Sequence, residues 1–167
     1  MNKYYIRFLL LILFLPQCSI RTLATDQLKK EFYGKPRIID GDSIEIKNEK
    51  IRLLGIDAFE KKQNCSKEDG TKYKCGERAI SNLSTIISDQ PIRCITKKKD
   101  RYKRWLATCY IGKLDINENM ILYGNAFSYM SKKYKNVENE AKKINAGAWA
   151  GKFIFPWEWR KLKKNDR

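Results

Sequence analysis

The chain has 167 residues, enough for one domain with a hydrophobic core, and its 35 Lys and Arg against 19 Asp and Glu give a formal net charge of +16. This excess favours a polyanionic partner, either nucleic acid or an anionic membrane surface, although a basic surface also serves solubility alone. Histidine is absent, which excludes every mechanism that needs an imidazole, so any hydrolysis must use carboxylates, arginines and a metal ion.

The N-terminus has the pattern of a secretory signal peptide. Two basic residues precede or flank a short apolar run, Phe8 to Leu15, which is too short to span a membrane. Small residues at 22–24 suit cleavage before Thr25. We therefore expect residues 1–24 to be removed and the mature protein to be secreted or periplasmic. A lipid anchor at Cys18 is the alternative, although the residue before it is a poor fit.

Removal of the signal leaves four cysteines, an even number that indicates disulfides in an exported chain. Cys94 and Cys109 lie on two strand-like runs joined by a tight turn, so they are roughly opposite each other. Cys65 and Cys75 bracket a polar loop. Of the three possible pairings, the sequence therefore favours Cys65–Cys75 and Cys94–Cys109. A zinc site is the rival interpretation, but the chain has no CxxC pair.

The mature chain begins with a polar segment, residues 25–35, which we expect to be flexible. Strands come first after it, and helices follow. The predicted elements are strands at 35–47 and 51–57, a helix at 77–88, a hairpin of 91–97 and 104–111, a helix from the N-cap Asp115 to Tyr123, and a third helix ending near Gly147. This order predicts an α+β domain over residues 36–160 in which about five antiparallel strands curl into a small OB-type barrel, followed by a flexible basic tail at 161–167. The tryptophans near the C-terminal end are expected to be packing residues.

Acidic residues at the first two predicted strands form the candidate site. In the first strand Asp42, Ile44 and Ile46 share a parity, so a carboxylate points the same way as the inward apolar residues. An inward carboxylate needs a counter-charge to stay ionised. The second strand supplies Arg52 within it and Asp57 at its far end.

These oxygen donors suit a hard divalent cation. Asp42, Asp57 and the backbone carbonyl of Ala58 are the candidate ligands, and such a cation polarises a phosphodiester and holds the attacking water. Glu60 is the candidate to take a proton from that water. The residues therefore point to metal-assisted hydrolysis of a phosphodiester.

Two arginines are the candidate phosphate clamp. Arg52 and Arg104 would stabilise charge on the phosphate oxygens, and because arginine keeps its proton their role is electrostatic. Arg52 and Asp57 have opposite parity, so a regular strand would point them to opposite faces. We expect a bulge at Gly55 to bring them together.

Three charged segments in this order resemble the staphylococcal (micrococcal) nuclease family, whose domain is also called thermonuclease-like. They are Ile39–Ser43, Arg52–Glu60 and Asp100–Ala107, and the likeness continues at Cys75–Ala79, Gly124–Ala126 and Gly147–Trp149. The resemblance covers roughly residues 35–160. It implies a five-stranded OB-type barrel with about three helices. It also implies a calcium-dependent nuclease that acts on DNA and RNA and leaves 3′-phosphate ends.

The resemblance also implies roles for individual residues. It implies that Asp42, Asp57 and the Ala58 carbonyl bind calcium, with Asp40 just behind the metal. The catalytic residues would be Arg52, Glu60 and Arg104. The residues that contact the nucleotide would be Arg101, Tyr102 and Tyr129. Three positions depart from the family pattern. Phe59 stands where a proline is usual, Lys103 where a glycine is common, and Ser43 where a threonine is found, but none of these changes removes a charged group.

The sequence thus predicts an exported, calcium-dependent endonuclease of low sequence specificity, monomeric and without stable membrane association. A non-catalytic nucleic-acid-binding module on the same fold is the alternative, although such a module would be expected to lack the acidic metal ligands. A basic, membrane-active exported protein is a third interpretation, but no long amphipathic segment supports it.

Overall fold

The computed structural model describes residues 30–165, so the proposed signal peptide lies outside it. The strands are β1 (Glu31–Gly34), β2 (Arg37–Asp40), β3 (Ser43–Ile46), β4 (Glu49–Leu53), β5 (Ile56–Ala58), β6 (Cys65–Ser66), β7 (Lys72–Tyr73), β8 (Ile92–Lys99), β9 (Trp105–Ile111), β10 (Leu114–Asp115) and β11 (Ala126–Ser128). The α-helices are α1 (Cys75–Ile87), α2 (Ile116–Leu122), α3 (Lys135–Lys143) and α4 (Pro156–Asn165), and Gly147–Ala150 form a 3-10 turn.

The main sheet has the strand order β1-β8-β9-β4-β3-β2, with β10 added to β9. Its pairings are antiparallel except for β4 and β9, which run parallel. The sheet curls so far that a Cβ placed on Gly34 of β1 would lie 3.2 Å from Ile46 of β3, although three strands separate them. The α+β class and the OB-type barrel are therefore confirmed, with β1 and β10 added to a five-strand core.

The core fills the barrel and the space between it and the helices. Ile44, Ile51 and Leu53 are almost completely buried inside the curled sheet. Helix α1 buries Ala79, Leu83 and Ile87, a spacing of four residues that keeps them on one helical face. Asp115 accepts a hydrogen bond from the N–H of Glu118 at 3.1 Å, which makes it the N-cap of α2 as predicted.

The segment expected to be flexible at residues 25–35 contains a strand instead. Residues 31–34 form β1, which pairs with β8 and places the buried Phe32 opposite Cys94. The ring of Phe32 lies 5.7 Å from that of Trp105. Four residues are too few for alternation to be recognised, so tertiary packing rather than local pattern forms this strand. Residues 25–29 lie outside the described range.

The expected flexible tail at residues 161–167 is helical as far as Asn165, and the remaining two residues lie outside the described range. Pro156 occupies the first position of α4, where its fixed φ angle favours a helix, and the lysines that follow are good helix formers. The described residues therefore contain four α-helices where about three were expected. None of the helices within residues 30–165 has the length and apolar content needed to cross a membrane.

The predicted strand at 51–57 breaks into two. The N–H of Leu54 donates to the carbonyl of Ala107 at 2.7 Å, and Gly55 takes a φ of +81°, a value that favours glycine. Beyond this turn the chain leaves β9, and β5 pairs with β11. A turn, rather than the expected bulge, therefore redirects the chain between Arg52 and Asp57.

Both disulfides favoured by the sequence are present. Cys94 and Cys109 are directly opposite each other on β8 and β9 and are fully buried. The Cys65–Cys75 bond joins β6 to the start of α1. Each bond therefore holds elements that frame the barrel.

An aromatic cluster fastens the C-terminal segment to the barrel. Phe127 of β11 is fully buried. Its ring lies 5.0–6.2 Å from five other aromatic rings, those of Phe59, Trp149, Phe153, Phe155 and Trp157. Trp149 and Trp157 are therefore packing residues, as expected, and α4 is held against β5 and β11 at its first turn.

The β8–β9 turn is organised by Asp100. One of its oxygens accepts hydrogen bonds from the N–H groups of Tyr102 at 2.8 Å and Arg104 at 3.0 Å. Lys103 between them takes a φ of +63°. This left-handed conformation accounts for the glycine that the family pattern has at this position, since a side chain there is strained.

Changing Lys103→Gly is expected to raise the free energy of unfolding by about 1 kcal/mol, because glycine removes the left-handed strain at some cost in unfolded-chain entropy. Urea unfolding measures the change. Lys103→Ala is the matched control, since it removes the same charge and keeps the strain. An equal change in the two variants would show that the backbone conformation is not the cause.

Replacing Cys94 and Cys109 together by alanine is expected to lower the free energy of unfolding by about 3 kcal/mol, because the bond closes a loop that is otherwise free in the unfolded chain. Urea unfolding of the oxidised proteins provides the measurement. A loss below about 1 kcal/mol would contradict a stabilising role for this bond.

Candidate active site

A cleft of about 1040 Å³ lies where the β4–β5 turn, the β8–β9 turn and α4 meet. Seven basic and four acidic residues line it. The basic residues are Lys50, Arg52, Lys98, Lys99, Arg101, Arg104 and Arg160, and the acidic ones are Asp40, Asp42, Glu60 and Asp100. The cleft is therefore positive overall, although it also contains four carboxylates.

Asp42 immediately precedes β3 and is buried, as its inward parity predicted. One oxygen accepts hydrogen bonds from Arg52 Nη1 at 2.7 Å and the Ser43 hydroxyl at 3.0 Å. The other accepts from the backbone N–H of Ala58 at 3.1 Å. Asp40 accepts the N–H of Asp42 at 3.0 Å and so fixes the turn that delivers the carboxylate.

Burial has the largest effect on the ionisation of Asp42. Burial raises the pKa of its carboxyl group to about 7. The Arg52 guanidinium opposes this effect, whereas the neighbouring Asp40 and Asp57 charges add to it. Additional positive charge beside Asp42 would therefore stabilise its ionised form.

Arg52 bridges the two buried carboxylates. Its Nη1 donates to Asp42, and its Nη2 donates to an oxygen of Asp57 at 2.6 Å. Although burial alone lowers the pKa of Arg52, the two carboxylates raise it above its ordinary value. The turn at residues 54–55 makes this convergence possible, since a continuous strand would have separated Arg52 from Asp57.

Glu60 follows β5 and is held through its backbone. Its N–H donates to the side-chain oxygen of Gln63 at 3.2 Å, and its carbonyl accepts from the Gln63 N–H at 2.7 Å. Gln63 itself is buried and donates to the carbonyl of Ile154 at 2.6 Å. A Cβ on Gly76 would lie 1.8 Å from the Glu60 carbonyl oxygen, so the start of α1 must have glycine here.

Phe59 takes the place of the usual proline without loosening this segment. Its ring is buried and makes edge-to-face contacts with Phe127 at 5.1 Å and Phe153 at 5.7 Å. Tertiary packing therefore restrains the residue before Glu60 in place of a proline ring.

Arg160 of α4 also enters the site. Its Nη2 donates to one oxygen of Asp57 at 2.7 Å, and its Nη1 donates to the other at 3.1 Å and to Glu60 at 2.6 Å. Burial lowers the pKa of this guanidinium, but the bonds to Asp57 and Glu60 outweigh it and raise the pKa. Sequence reasoning missed Arg160, because the basic and aromatic composition of its segment gave no sign of a contact with residues about 100 positions earlier.

Arg104 enters the cleft from the β8–β9 turn, where it binds Asp100. Its Nε and Nη2 bind Asp100 at 2.9 and 2.8 Å, and its Nη1 lies 3.4 Å from the Ser43 hydroxyl. It therefore faces the same cleft as Asp42, with its polar contacts to Asp100 and Ser43.

Aromatic residues flank the cleft at both sides. Tyr102 is 64% exposed, and the guanidiniums of Arg101 and Arg104 lie 4.9 and 5.4 Å from its ring centre. Tyr129 lines the opposite side and stacks on Trp157 at 5.5 Å. Both residues therefore present aromatic rings to the cleft.

The donor set fits a hard divalent cation. Asp42 and Asp57 offer carboxylate oxygens, which such ions prefer, and a cation beside Asp42 would oppose the effect of burial on its pKa. Within residues 30–165 no three Asp, Glu, His or Cys side chains are gathered as a metal cluster. A cation would therefore depend on two carboxylates together with a backbone carbonyl such as that of Ala58, and on water.

Comparison with known families adds to this geometry. The model of the staphylococcal nuclease homologue family matches residues 50–151. This range includes Arg52, Asp57 and Glu60, whereas Arg160 lies after it.

Individual relatives agree with the family match. A protein of Rhizobium meliloti (strain 1021) named succinoglycan biosynthesis protein ExoI is 38% identical over 122 residues, which cover 70% of this chain and 63% of that protein. An uncharacterized endonuclease of Haemophilus influenzae is 32% identical over 138 residues, or 77% of this chain and 72% of that protein. A rice protein named probable staphylococcal-like nuclease CAN2 is 28% identical over 131 residues, or 75% of this chain and 33% of that protein.

The chain therefore spans less than two thirds of the Rhizobium protein and about a third of the rice protein. The family model nevertheless covers more than half of the chain, and the Haemophilus protein aligns over most of its own length. On this evidence the protein belongs to the staphylococcal nuclease homologue family.

Proposed function

We propose that the protein is an exported, calcium-dependent endonuclease that hydrolyses phosphodiester bonds of DNA and RNA with low sequence specificity and leaves 3′-phosphate ends. One observation carries the proposal: Arg52 joins the buried carboxylates of Asp42 and Asp57 in a basic cleft that also contains Glu60. The relatives named as endonucleases and staphylococcal-like nucleases support the same class of reaction.

Substrate binding rests on the positive lining of the cleft. Its lysines and arginines attract phosphates without regard to base sequence, so binding weakens as salt rises. Arg101 and Tyr102 on one side and Tyr129 on the other would contact the nucleotides beside the scissile bond. Stacking on tyrosine tolerates any base, which agrees with low specificity.

The chemistry is shared between the residues that would hold calcium, the proton acceptor Glu60, and the arginines Arg52 and Arg104. Asp42, Asp57 and the Ala58 carbonyl would hold calcium, which supplies Lewis-acid polarisation of the phosphate when bound. Glu60 accepts a proton from the water that attacks phosphorus, and the bond to the 5′ oxygen breaks.

Arg52 and Arg104 complete this arrangement from the protein side. Both guanidiniums keep their protons, so they stabilise the negative charge that grows on the phosphate oxygens, and the departing 5′ oxygen takes its proton from solvent. Arg104 reaches the phosphate by exchanging its hydrogen bonds with Asp100 for bonds to the substrate.

Export agrees with the cysteine chemistry. The two disulfides are formed within the described residues, and such bonds persist in oxidising compartments. We infer a secreted or periplasmic fate, directed by the signal peptide proposed at residues 1–24.

A non-catalytic nucleic-acid-binding module is the second candidate. One observation favours it, since the carboxylates of Asp42, Asp57 and Glu60 are all paired with arginines. Tight, salt-sensitive DNA binding without cleavage in calcium would select this candidate.

Glu60→Gln is expected to lower kcat/KM for DNA cleavage by about 10²–10⁴, because the amide keeps the shape of the side chain but cannot accept the proton. Cleavage assays in calcium give the measurement. Glu140→Gln is the matched control, since Glu140 is exposed and pairs with Lys143 on α3. Unchanged cleavage by Glu60→Gln would remove Glu60 from the proton transfer.

Chelation of calcium is expected to abolish cleavage of single- and double-stranded DNA and RNA, and end-group analysis of the calcium-dependent products should find 3′-phosphates. At a calcium concentration 100 times the dissociation constant, binding should also raise the free energy of unfolding by about 2.7 kcal/mol. Asp42→Asn serves as the control that should lose this stabilisation. Cleavage that persists in excess chelator would contradict the proposal.

A further inference from the structure

The carboxylate of Asp57 is enclosed by two guanidiniums. Its side chain is 0% exposed, and its oxygens accept three hydrogen bonds, one from Arg52 and two from Arg160. A carboxylate offers about four lone-pair positions, so three are in use and the fourth faces protein rather than solvent. A cation that binds an Asp57 oxygen at about 2.3–2.6 Å must therefore take a position that a guanidinium now holds.

Of the two guanidiniums, Arg160 is the one placed to leave. Its side chain is 38% exposed, against 17% for Arg52. Arg52 also bridges Asp42 to Asp57, so its departure would leave two buried carboxylates unpaired. Arg160 can swing toward solvent while Arg52 keeps the pair neutralised.

The way α4 is anchored makes such a movement local. Trp157 stacks on Phe155 at 4.5 Å and on Tyr129 at 5.5 Å, which fixes the first turn of the helix. Arg160 lies three residues later, on the same side of the helix as Trp157. The residues after it, 161–165, are exposed. The guanidinium can therefore move without disturbing the aromatic cluster.

We propose that Arg160 is the resident counter-ion of the Asp57–Glu60 carboxylate pair and that a divalent cation binds by displacing it. This inference rests on the calcium site of the proposed function and assigns to α4 the control of that site's affinity. Arg160 is thus a positioning residue. It stabilises the carboxylates before the cation arrives and sets the free energy that the cation must exceed.

The test is calorimetric titration of calcium chloride into the wild-type protein, Arg160→Gln and Lys161→Gln. Arg160→Gln is expected to bind calcium about 10-fold more tightly, because the competing positive charge is gone. Lys161→Gln removes the same charge from the exposed neighbouring position and should change the affinity less than about 3-fold. Equal or weaker binding by Arg160→Gln, with wild-type binding intact, would overturn the inference alone.

Unfolding measurements separate competition from simple support of the fold. Without calcium, Arg160→Gln should be less stable than the wild type, and saturating calcium should stabilise it more than it stabilises the wild type. An equal loss of stability with and without calcium would show a purely structural role and overturn the inference. If Arg160→Gln fails to fold, Arg160→Lys replaces it, since lysine keeps the charge but does not bridge both carboxylates and should also tighten binding.

The two proposals fail differently. Absence of calcium binding in all three proteins would overturn the calcium site and this inference with it. Calcium binding of the same strength in all three would leave the proposed nuclease function in place and remove only the role of Arg160.

Discussion

The structure depends on one ionic bridge, in which Arg52 donates to two carboxylates that water barely reaches. Asp42 precedes β3 and Asp57 lies in β5, and each carboxylate would be costly to bury alone. The turn at residues 54–55 allows the bridge, and the packing of β5 on β11 holds it in place. Packed apolar residues in place of buried ion pairs are often as stable or more stable, so stability alone does not account for this group of charges, whereas the proposed nuclease function does.

Support for the site comes from parts of the chain that carry no site chemistry. Phe127, at the centre of the aromatic cluster, packs against Phe59 and against Trp157 of α4. Gln63 ties the backbone of Glu60 to that of Ile154. The position of Glu60 is therefore set by tertiary packing around Phe59 and Gln63 rather than by a proline ring.

Local pattern predicted those features that depend on neighbouring residues. The parity of Asp42 indicated its inward direction, Asp115 its role as a helix cap, and the hairpin spacing the pairing of Cys94 with Cys109. Strand β1 was missed because its four residues owe their conformation to pairing with β8. The interruption at Gly55 was predicted, but its form was not, since the hydrogen bond from Leu54 to β9 and the pairing of β5 with β11 produce a turn rather than a bulge.

Arg160 shows most clearly what local sequence pattern does not predict, because its partners lie 100 and 103 residues away and no periodicity connects them. The same separation has a consequence for how the protein is made. Gln63 links Glu60 to Ile154, and Arg160 binds both Asp57 and Glu60. These contacts can form only after the strands of the barrel have been synthesised. Contacts so distant in sequence close long loops, and the entropy cost of that closure slows folding. The strands of the barrel are therefore synthesised before Arg160, and Asp57 and Glu60 gain this guanidinium only once α4 has been made.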